Sequence, residues 1–269
     1  MNASGAPAHT FVVPAFGEPK WIGRCLDSIR TQTCRSRVLV TTSTPNAYLR
    51  AMAERRGVPL IVNQHSRGIA ADWNFALTQA DAEWVSLAHQ DDWYEPDYVE
   101  LCLRTAAQSA NPILIFTDAL ETVEGDSHHV LNSRVKRALS SLTFLGSASI
   151  ESRLRRRLLL AFGNPIPCPS VMINRRAVPE FRFPEGWRSN LDWSAWLSLA
   201  DTPGAFVRVA RPLVHRTLHA MAETTQSLSD RAAEDDQMFY RLWPSPIALA
   251  LSRLYAASRR PYIRLRNQR

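Results

Sequence analysis

The sequence is poor in glycine, and this shortage argues against two common ways of binding nucleotides. Only 10 of the 269 residues are glycine. Neither the G-x-G-x-x-G fingerprint of dinucleotide-binding folds nor the G-x-x-x-x-G-K-[ST] phosphate loop occurs in the chain. A dinucleotide-binding protein and a P-loop enzyme are therefore both disfavoured.

Long apolar runs, a secretion signal and paired cysteines are also missing. No run approaches the roughly 20 apolar residues that span a bilayer. The N-terminal string MNASGAPAHT lacks the basic and apolar regions of a signal peptide. The four cysteines are widely spread with no C-x-x-C pair, which favours buried, reduced thiols. We expect a cytoplasmic protein that is soluble or peripheral at the inner face of the membrane.

Lysine is nearly absent, although the formal net charge is +7. Lys20 and Lys136 are the only lysines, and arginine supplies almost all of the positive charge. Four arginines cluster within residues 153–157 and six within residues 253–269. Such clusters suit nucleic acid, an anionic membrane or a phosphorylated ligand, or they form a solvated basic face.

The first 120 residues alternate strand-like and helix-like patterns, which predicts a mostly parallel sheet with right-handed crossovers. Strands are predicted at residues 9–15, 37–42, 59–63, 84–88 and 112–117. Helices are predicted from Pro19, from a Thr44-Pro45 cap to about Arg56, and over residues 69–80 and 96–109.

After about Asp118 the pattern changes. We expect a polar loop or hairpin at 121–133, in which His128 and His129 face solvent. Basic amphipathic helices are expected within 134–162. Short strands are predicted at 168–173, 205–210 and 213–215, and helices at 190–200 (capped by Asn190), 228–242 and 246–257.

The adjacent carboxylates Asp91 and Asp92 follow the predicted strand Trp84–Ala88. They would lie at the strand's carboxyl end, where open α/β sheets bind ligands. Two neighbouring carboxylates repel each other unless a cation or several donors stabilise them. A divalent ion that clamps a diphosphate meets that need. The alternative is that Asp92 caps a helix beginning at Pro96 and that Asp91 is solvated.

The order of several motifs resembles that of the family 2 glycosyltransferases. The matching strings span roughly residues 11–225 and are PAFGEPKWIGRCLDSIRTQT, NQHSRGIAADWNFALTQADAEWVSLAHQDDWYEPDY, NPIPCPSVMINRR, NLDWSAWLSLA and HRTLHAMAET. The resemblance implies a GT-A (Rossmann-like) α/β fold, with a mostly parallel sheet, flanking helices and additional C-terminal helices. The implied organisation is a nucleotide-sugar-binding half at 1–120, an acceptor-binding half at 121–227 and a basic helical extension at 228–269.

The same resemblance implies inverting transfer of a sugar from a nucleotide-diphosphate sugar to an acceptor hydroxyl. Mg²⁺ or Mn²⁺ would hold the diphosphate, because a departing nucleoside diphosphate gains negative charge. A positioned carboxylate would take the proton of the attacking hydroxyl. We expect a saccharide or lipid-linked acceptor in surface polysaccharide or glycolipid assembly, peripheral contact with an anionic membrane, and no nucleic-acid partner.

Specific residues match the family's motifs. Asp192 corresponds to the general base, and Asp91, Asp92 and His219 are the candidate metal-binding residues. The implied donor-binding residues are Pro14, Ala15, Phe16, Thr42, Asp72, Asn74, Asp91 and Arg216. Asp72 either orients the ribose or diphosphate or caps its own helix. His215 and His219 have zinc-like spacing, but the string HRTLH differs from H-E-x-x-H.

The chain also departs from the family pattern. Residues 41–44 read TTST where the family usually has an aspartate that binds the base or ribose. His89 replaces an acid; it either contacts the diphosphate or metal, or bonds to nearby backbone. Leu191 replaces the acid often found before the base. Two alternatives therefore stay open: a non-catalytic sugar- or nucleotide-binding relative, and a glycoside hydrolase, whose carboxylates must face each other about 5–10 Å apart.

Overall fold

Strand segments rich in Val, Ile and aromatic residues build a sheet through the centre of the molecule. A computed structural model describes residues 7–65, 68–123, 131–219, 221–222, 226–259 and 263. His128, His129 and most of the C-terminal arginine cluster lie outside these residues. The nine described strands follow the order β3-β2-β1-β4-β8-β6-β9-β5, with β7 paired to β9. They are β1 (His9–Ala15), β2 (Arg37–Thr42), β3 (Leu60–Val62), β4 (Trp84–Leu87), β5 (Trp93–Tyr94), β6 (Pro112–Val123), β7 (Ser149–Ile150), β8 (Val171–Asn174) and β9 (Ala205–Leu218).

Helices cover both faces of the sheet. They are α1 (Ile22–Arg30), α2 (Ala47–Glu54), α3 (Ile69–Thr78), α4 (Tyr98–Ala106), α5 (Leu131–Phe144), α6 (Arg153–Ala161), α7 (Leu191–Asp201), α8 (Leu228–Leu242) and α9 (Ser245–Tyr255). Successive residues of a strand point to opposite faces. Phe11 and Val13 of β1 accordingly pack with α1 and α4, whereas Val12 packs with the core under α3, α6 and α7.

The order in which strands are added to the sheet reverses at β1, within its parallel part, and this point positions the site. β1 pairs in parallel with β2 on one side and with β4 on the other. β2 pairs with β3, so the chain moves outward from β1 and then returns to its other side. Ligands of open α/β sheets bind at such a switch point, outside the carboxyl ends of the strands.

The predicted elements of the first 120 residues are confirmed, with shifts at their ends. The N-cap of α2 is Asn46 rather than Thr44, because the Asn46 side chain accepts a hydrogen bond from Leu49 N at 2.8 Å. The Thr44 hydroxyl instead accepts from Gly17 N at 2.8 Å. α4 begins at Tyr98 with Asp97 as its N-cap, so the alternative that Asp92 caps this helix is wrong.

β6 and β9 are longer than their sequences predict. β6 continues to Val123, through the start of the expected loop at 121–133, and residues 131–133 of that segment belong to α5. β9 runs without interruption through the two short strands predicted at 205–210 and 213–215. The parallel ladder between β6 and β9 extends from Pro112 to Val123, with irregular register near Asp118 and Pro212. Pairing between the two strands thus continues on both sides of Asp118 and Pro212, residue types that usually end a strand.

The four arginines of the basic helix α6 all have partners within the protein. Arg153 and Arg157 each approach an Asp201 carboxylate oxygen at 2.8 Å. Arg156 is 2% exposed and donates to Thr202 O at 2.6 Å. Arg155 donates to Thr143 O at 2.6 Å, which joins α6 to the end of α5. Within the described residues, no helix is both long and apolar enough to cross a membrane.

Candidate active site

A cavity of about 760 Å³ opens at the switch point of the sheet. Its lining includes Ala15 and Phe16 after β1, Asp91 and Asp92 after β4, and Asp192 of α7. Residues after β1 and β4 meet here because the two strands are parallel neighbours that end at the same edge. The end of β9 joins them because Trp93 and Tyr94 of β5 pair with His215 and Val214.

His89, Asp91 and Asp92 form the acidic centre of this cavity. Each offers one ligand atom, and these atoms lie within 4.8 Å of one another. Asp92 Oδ1 accepts a hydrogen bond from Thr217 N at 2.9 Å, which fixes it against β9. His219 Nε2 lies 2.9 Å from Asp91 Oδ2, at hydrogen-bond distance.

Burial and mutual repulsion set the charge of the pair. Burial, together with the neighbouring charge of Asp91, raises the pKa of Asp92 well above its usual value, while Arg216 and Thr217 N oppose that shift. Burial alone would raise the pKa of Asp91 too. Burial is the largest single influence, but the hydrogen bond from His219, the nearby imidazoles and a backbone hydrogen bond together outweigh it and lower the pKa of Asp91. Without a cation, the pair therefore favours one ionised and one neutral carboxyl group.

The cluster fits a divalent cation. Burial lowers the pKa of His89 to about 4, so its imidazole is neutral at pH 7 and can act as a ligand. Its Nε2 atom is buried and has no hydrogen-bond partner among the described residues. The cluster offers one neutral imidazole and two carboxylates as ligands. A divalent cation would stabilise the ionised form of Asp92, which burial disfavours.

The geometry favours His89 over His219 as the third ligand. Sequence analysis named His219 as the candidate and left the role of His89 open. His219 instead packs its ring against Trp21, with centroids 4.2 Å apart, while its Nε2 contacts Asp91. It therefore holds a candidate ligand in place, a usual function of groups around metal sites.

Five of the predicted donor residues line the cavity beside the acidic cluster. They are Pro14, Ala15, Phe16, Asp72 and Arg216. The Phe16 side chain is 66% exposed, which argues against a core role for it. Its backbone N donates to Gln90 Oε1 at 2.8 Å. Arg216 approaches Glu121 Oε1 at 3.0 Å and brings a positive charge to the lining.

Asp72 joins the ends of three elements rather than capping its own helix. Ser43 after β2 donates to its Oδ2 at 2.8 Å, and Asn63 after β3 donates to its Oδ1 at 2.9 Å. The N-cap of α3 is Gly68, whose φ of +111° suits glycine. The Asp72 carboxylate thus lies beside the end of β2, where the chain itself has no acid.

Two predicted donor residues lie outside the cavity lining. Thr42 is 2% exposed, and its hydroxyl accepts from Thr44 N at 3.0 Å. Asn74 donates to Phe183 O at 2.9 Å and accepts from Phe183 N at 2.7 Å, so both ends of its amide are used. Their geometry favours local bracing over the predicted contact with a donor.

Asp192 lies in the first turn of α7 and lines the same cavity. Its Oδ1 accepts from Trp193 N at 2.7 Å, and its Oδ2 accepts from Asn164 Nδ2 at 2.9 Å. Asn190 occupies the predicted N-cap position, but its side chain makes no capping bond and donates to Asp235 Oδ1 instead. Hydrogen bonds and the positive helix N-terminus both favour a carboxylate at Asp192.

Sequence analysis missed the part of the cavity that comes from the C-terminal helices. Arg231 of α8 and Tyr255 of α9 line it, together with Trp187 and Arg188 of the loop before α7. Cys168 also lines it, and burial, helped by the charge of Asp192, raises the pKa of its thiol well above the usual range. Except for Cys168, which lies in the string NPIPCPSVMINRR, none of these residues belongs to a recognisable motif, because their place in the site depends on long-range packing.

The sequence of residues 10–180 matches the family described as Glycosyl transferase family 2. This chain belongs to that family. EpsH of Bacillus subtilis (strain 168), a protein named as a candidate glycosyltransferase, is similar to this chain. The two are 26% identical over 130 residues, which is 45% of this chain and 38% of EpsH. Glycosyltransferase GlyA of Streptococcus pneumoniae serotype 4 is 30% identical over 96 residues, 34% of this chain and 14% of GlyA. The chain matches well under half the length of each relative.

Solved structures of similar fold include a UDP complex and a mannosyltransferase. TarS 1-349 of S. aureus in complex with UDP matches with a TM-score of 0.59 and 15% identity, over 87% of this chain and 70% of that chain. The mannosyltransferase PcManGT of Pyrobaculum calidifontis, in complex with GDP-Man and Mn²⁺, matches with a TM-score of 0.64 and 16% identity. The match covers 93% of this chain and 70% of PcManGT. The predicted GT-A α/β fold is therefore confirmed.

Proposed function

We propose that this glycosyltransferase moves a sugar from a nucleotide-diphosphate donor to an acceptor hydroxyl with inversion at the anomeric carbon. The observation that carries the proposal is the convergence on one cavity of the acidic cluster His89, Asp91 and Asp92 with the carboxylate of Asp192. The cluster suits a cation that binds a diphosphate, and Asp192 suits proton removal from an attacking hydroxyl.

The donor would bind across the ends of β1 and β4. The exposed ring of Phe16 offers a surface on which a base can stack. Asp72, beside Ser43, supplies a carboxylate acceptor for the base or ribose in place of the acid missing from residues 41–44. Arg216 would lie near the diphosphate, where its positive charge stabilises the leaving group.

Asp91, Asp92 and His89 would hold Mg²⁺ or Mn²⁺. When bound, the cation would neutralise charge on the diphosphate as the bond to the sugar breaks. His219 keeps Asp91 in orientation, and Thr217 N keeps Asp92 in orientation. The complex of PcManGT with GDP-Man and Mn²⁺ supports the same pairing of cation and donor here.

Asp192 would act as the general base. Asn164 and Trp193 N orient its carboxylate. A proton taken by Asp192 leaves the acceptor oxygen free to form the new bond on the face opposite the departing diphosphate. A single base on that face fits inversion, because one displacement inverts the anomeric centre.

Metal-dependent release of nucleotide diphosphate tests this function. Purified protein should release UDP, GDP or dTDP from one nucleotide sugar in the presence of Mn²⁺, Mg²⁺ and a saccharide acceptor. Asp92→Ala should abolish the dependence on the cation and reduce turnover to background while leaving the fold intact. Full turnover in folded Asp92→Ala would contradict the metal assignment. Release of free sugar from the saccharide in the absence of any nucleotide would favour a hydrolase.

We propose further that the acceptor is lipid-linked and that the protein rests on an anionic membrane at its cytoplasmic face, in surface polysaccharide or glycolipid assembly. Leu142, Leu145, Leu154 and Leu158, at the joined ends of α5 and α6, are 69%, 76%, 76% and 45% exposed. The Arg153 side chain beside them is 66% exposed. Exposed leucines next to arginine suit an anionic lipid surface.

Vesicle co-sedimentation tests the membrane contact. Vesicles with anionic lipid should bind the protein more strongly than neutral vesicles, and Leu154→Ser with Leu158→Ser should weaken binding. Leu249→Ser, at a 43% exposed leucine of α9, is the matched control and should bind like the unaltered protein. Equal recovery with anionic and neutral vesicles would contradict the proposal.

A further inference from the structure

The loop before α7 is held by a single carboxylate of α8. Glu234 Oε1 accepts from Arg188 N at 2.7 Å. Its Oε2 accepts from Ser189 N at 2.8 Å and from Asn190 N at 2.7 Å. Glu234 is only 8% exposed, so three consecutive backbone N–H groups have a buried carboxylate as their partner.

Neighbouring side chains of the same helical region also contact this loop. Asn190 Nδ2 donates to Asp235 Oδ1 at 2.8 Å. The hydroxyl groups of Ser189 and Ser227 lie 2.8 Å apart. At the surface, Arg188 Nη1 lies 3.1 Å from Asp230 Oδ2. Each of the three loop residues therefore makes both a backbone contact with Glu234 and a side-chain contact with residues 227–235.

The chemistry explains why a carboxylate occupies this position. The N–H groups that lead into a helix have no carbonyl partner in that helix. A buried carboxylate satisfies them with charge-assisted hydrogen bonds, and its negative charge suits the positive end of α7. All three loop residues line the cavity, and Asp192 follows Asn190 by two positions. The position of Asp192 therefore depends on where α8 holds this loop.

We propose that Glu234 is the positioning residue of the acceptor side, fixing residues 188–190 and through them the direction of Asp192. The proposal rests on the proposed function in one respect, that Asp192 is the base. α8 lies beyond residues 10–180, the part of the chain that matches the family. The device that positions the base thus belongs to the segment that the family match does not cover.

Amide hydrogen exchange in Glu234→Gln tests the attachment directly. Glutamine keeps the shape, but it replaces one acceptor oxygen by an N–H₂ group that faces backbone donors. The amides of residues 188–190 should exchange at least about tenfold faster, while those of β1 and β4 stay protected. The turnover number should fall about ten- to a hundredfold, with nucleotide affinity within about twofold, because only the acceptor side shifts.

Asp230→Asn is the matched control, since it alters the same helix and removes only the exposed contact with Arg188. It should keep normal exchange and turnover within about twofold. If Glu234→Gln does not fold, Asp235→Ala, which deletes the acceptor of the Asn190 side chain, should give the same local loss of protection and a smaller loss of turnover.

The proposal would be overturned if the amides of residues 188–190 exchanged in Glu234→Gln as slowly as in the unaltered protein. Faster exchange of these amides with full turnover would also overturn it. A parallel loss of nucleotide affinity would also overturn it, because a positioning role on the acceptor side leaves the donor site intact. The exchange readout needs no turnover. An unaltered protein that transfers no sugar would therefore contradict the proposed function, whereas unchanged exchange in Glu234→Gln would contradict this inference.

Discussion

The two sides of the cavity are built in different ways. On the proposed donor side, Phe16, Asp91 and Asp92 lie in short segments after β1 and β4, so the parallel pairing of these strands brings them to one edge of the sheet. On the acceptor side, Asp192 depends on Asn164 and on a loop fixed by Glu234, 44 residues further along the chain from Asn190. The comparison teaches that the proposed donor residues can be recognised from motifs next to strands, whereas the place of the proposed base depends on contacts that no motif signals.

The largest expected effect is a loss of turnover when the proposed base, Asp192, is replaced. Asp192→Asn keeps the shape and one of the two acceptor oxygens but cannot take a proton at neutral pH. Turnover should fall about a thousandfold, in the range of general-base catalysis, while nucleotide affinity stays within about twofold. Steady-state kinetics and calorimetric titration check both values. A loss of nucleotide affinity with unchanged turnover would place Asp192 on the donor side instead.

The next effect should be confined to the donor side. Phe16→Ala removes an exposed ring that offers a stacking surface, so nucleotide affinity should fall roughly tenfold. The midpoint of thermal unfolding should stay unchanged, because the ring contributes little to the core. Phe162→Ala, at a residue that is 41% exposed and outside the cavity lining, is the control. Unchanged nucleotide affinity in Phe16→Ala would remove the ring from the donor site.

A smaller effect tests whether Asn74 braces the two sides or binds the donor. Asn74→Ala deletes both hydrogen bonds to the Phe183 backbone. We expect a loss of about 1–2 kcal/mol in the free energy of unfolding, with nucleotide affinity within about twofold. Denaturant unfolding and nucleotide titration are the measurements. Weaker nucleotide binding at unchanged stability would restore the donor contact that the sequence predicts.

The smallest effect is a gain in stability at the acidic cluster. The folded-state pKa of Asp92 lies above its unfolded value, so ionising this group at neutral pH destabilises the metal-free fold. Asp92→Asn should therefore raise the unfolding free energy of metal-free protein by about 1 kcal/mol at pH 7–8. The gain should vanish below about pH 4, where the carboxyl group is protonated in both states. A destabilised Asp92→Asn at pH 8 without metal would contradict this account.

Much of the fold could be predicted because its signals are local. Apolar runs define β1, β2 and β4 to within a residue, and the acids after β4 follow from the sequence alone. The extension of β6 to Val123 could not be predicted, because pairing with β9 keeps polar residues in the strand. His89 was ambiguous for a similar reason: its suitability as a ligand depends on burial by distant chain segments.

The acceptor side was predicted least. Asp192 and the helix that carries it follow from the sequence, but Arg231 and Tyr255 carry no motif and reach the cavity through packing of the C-terminal helices. Glu234 also carries no motif, and it acts on the loop that lines the cavity. The basic helix at 153–157 shows the same limit. Its charge suggested a free basic face, yet Asp201 and backbone carbonyl groups occupy most of its arginines.

Calorimetric titration of UDP, GDP and dTDP, with and without Mn²⁺, tests the central claim most directly. One nucleotide should bind the unaltered protein and Asp192→Asn at least about tenfold more tightly with Mn²⁺, whereas Asp92→Ala should show no such gain. Tightening by Mn²⁺ that survives in folded Asp92→Ala, or that is lost in Asp192→Asn, would contradict the division of this site into a metal-dependent donor side and a separate base.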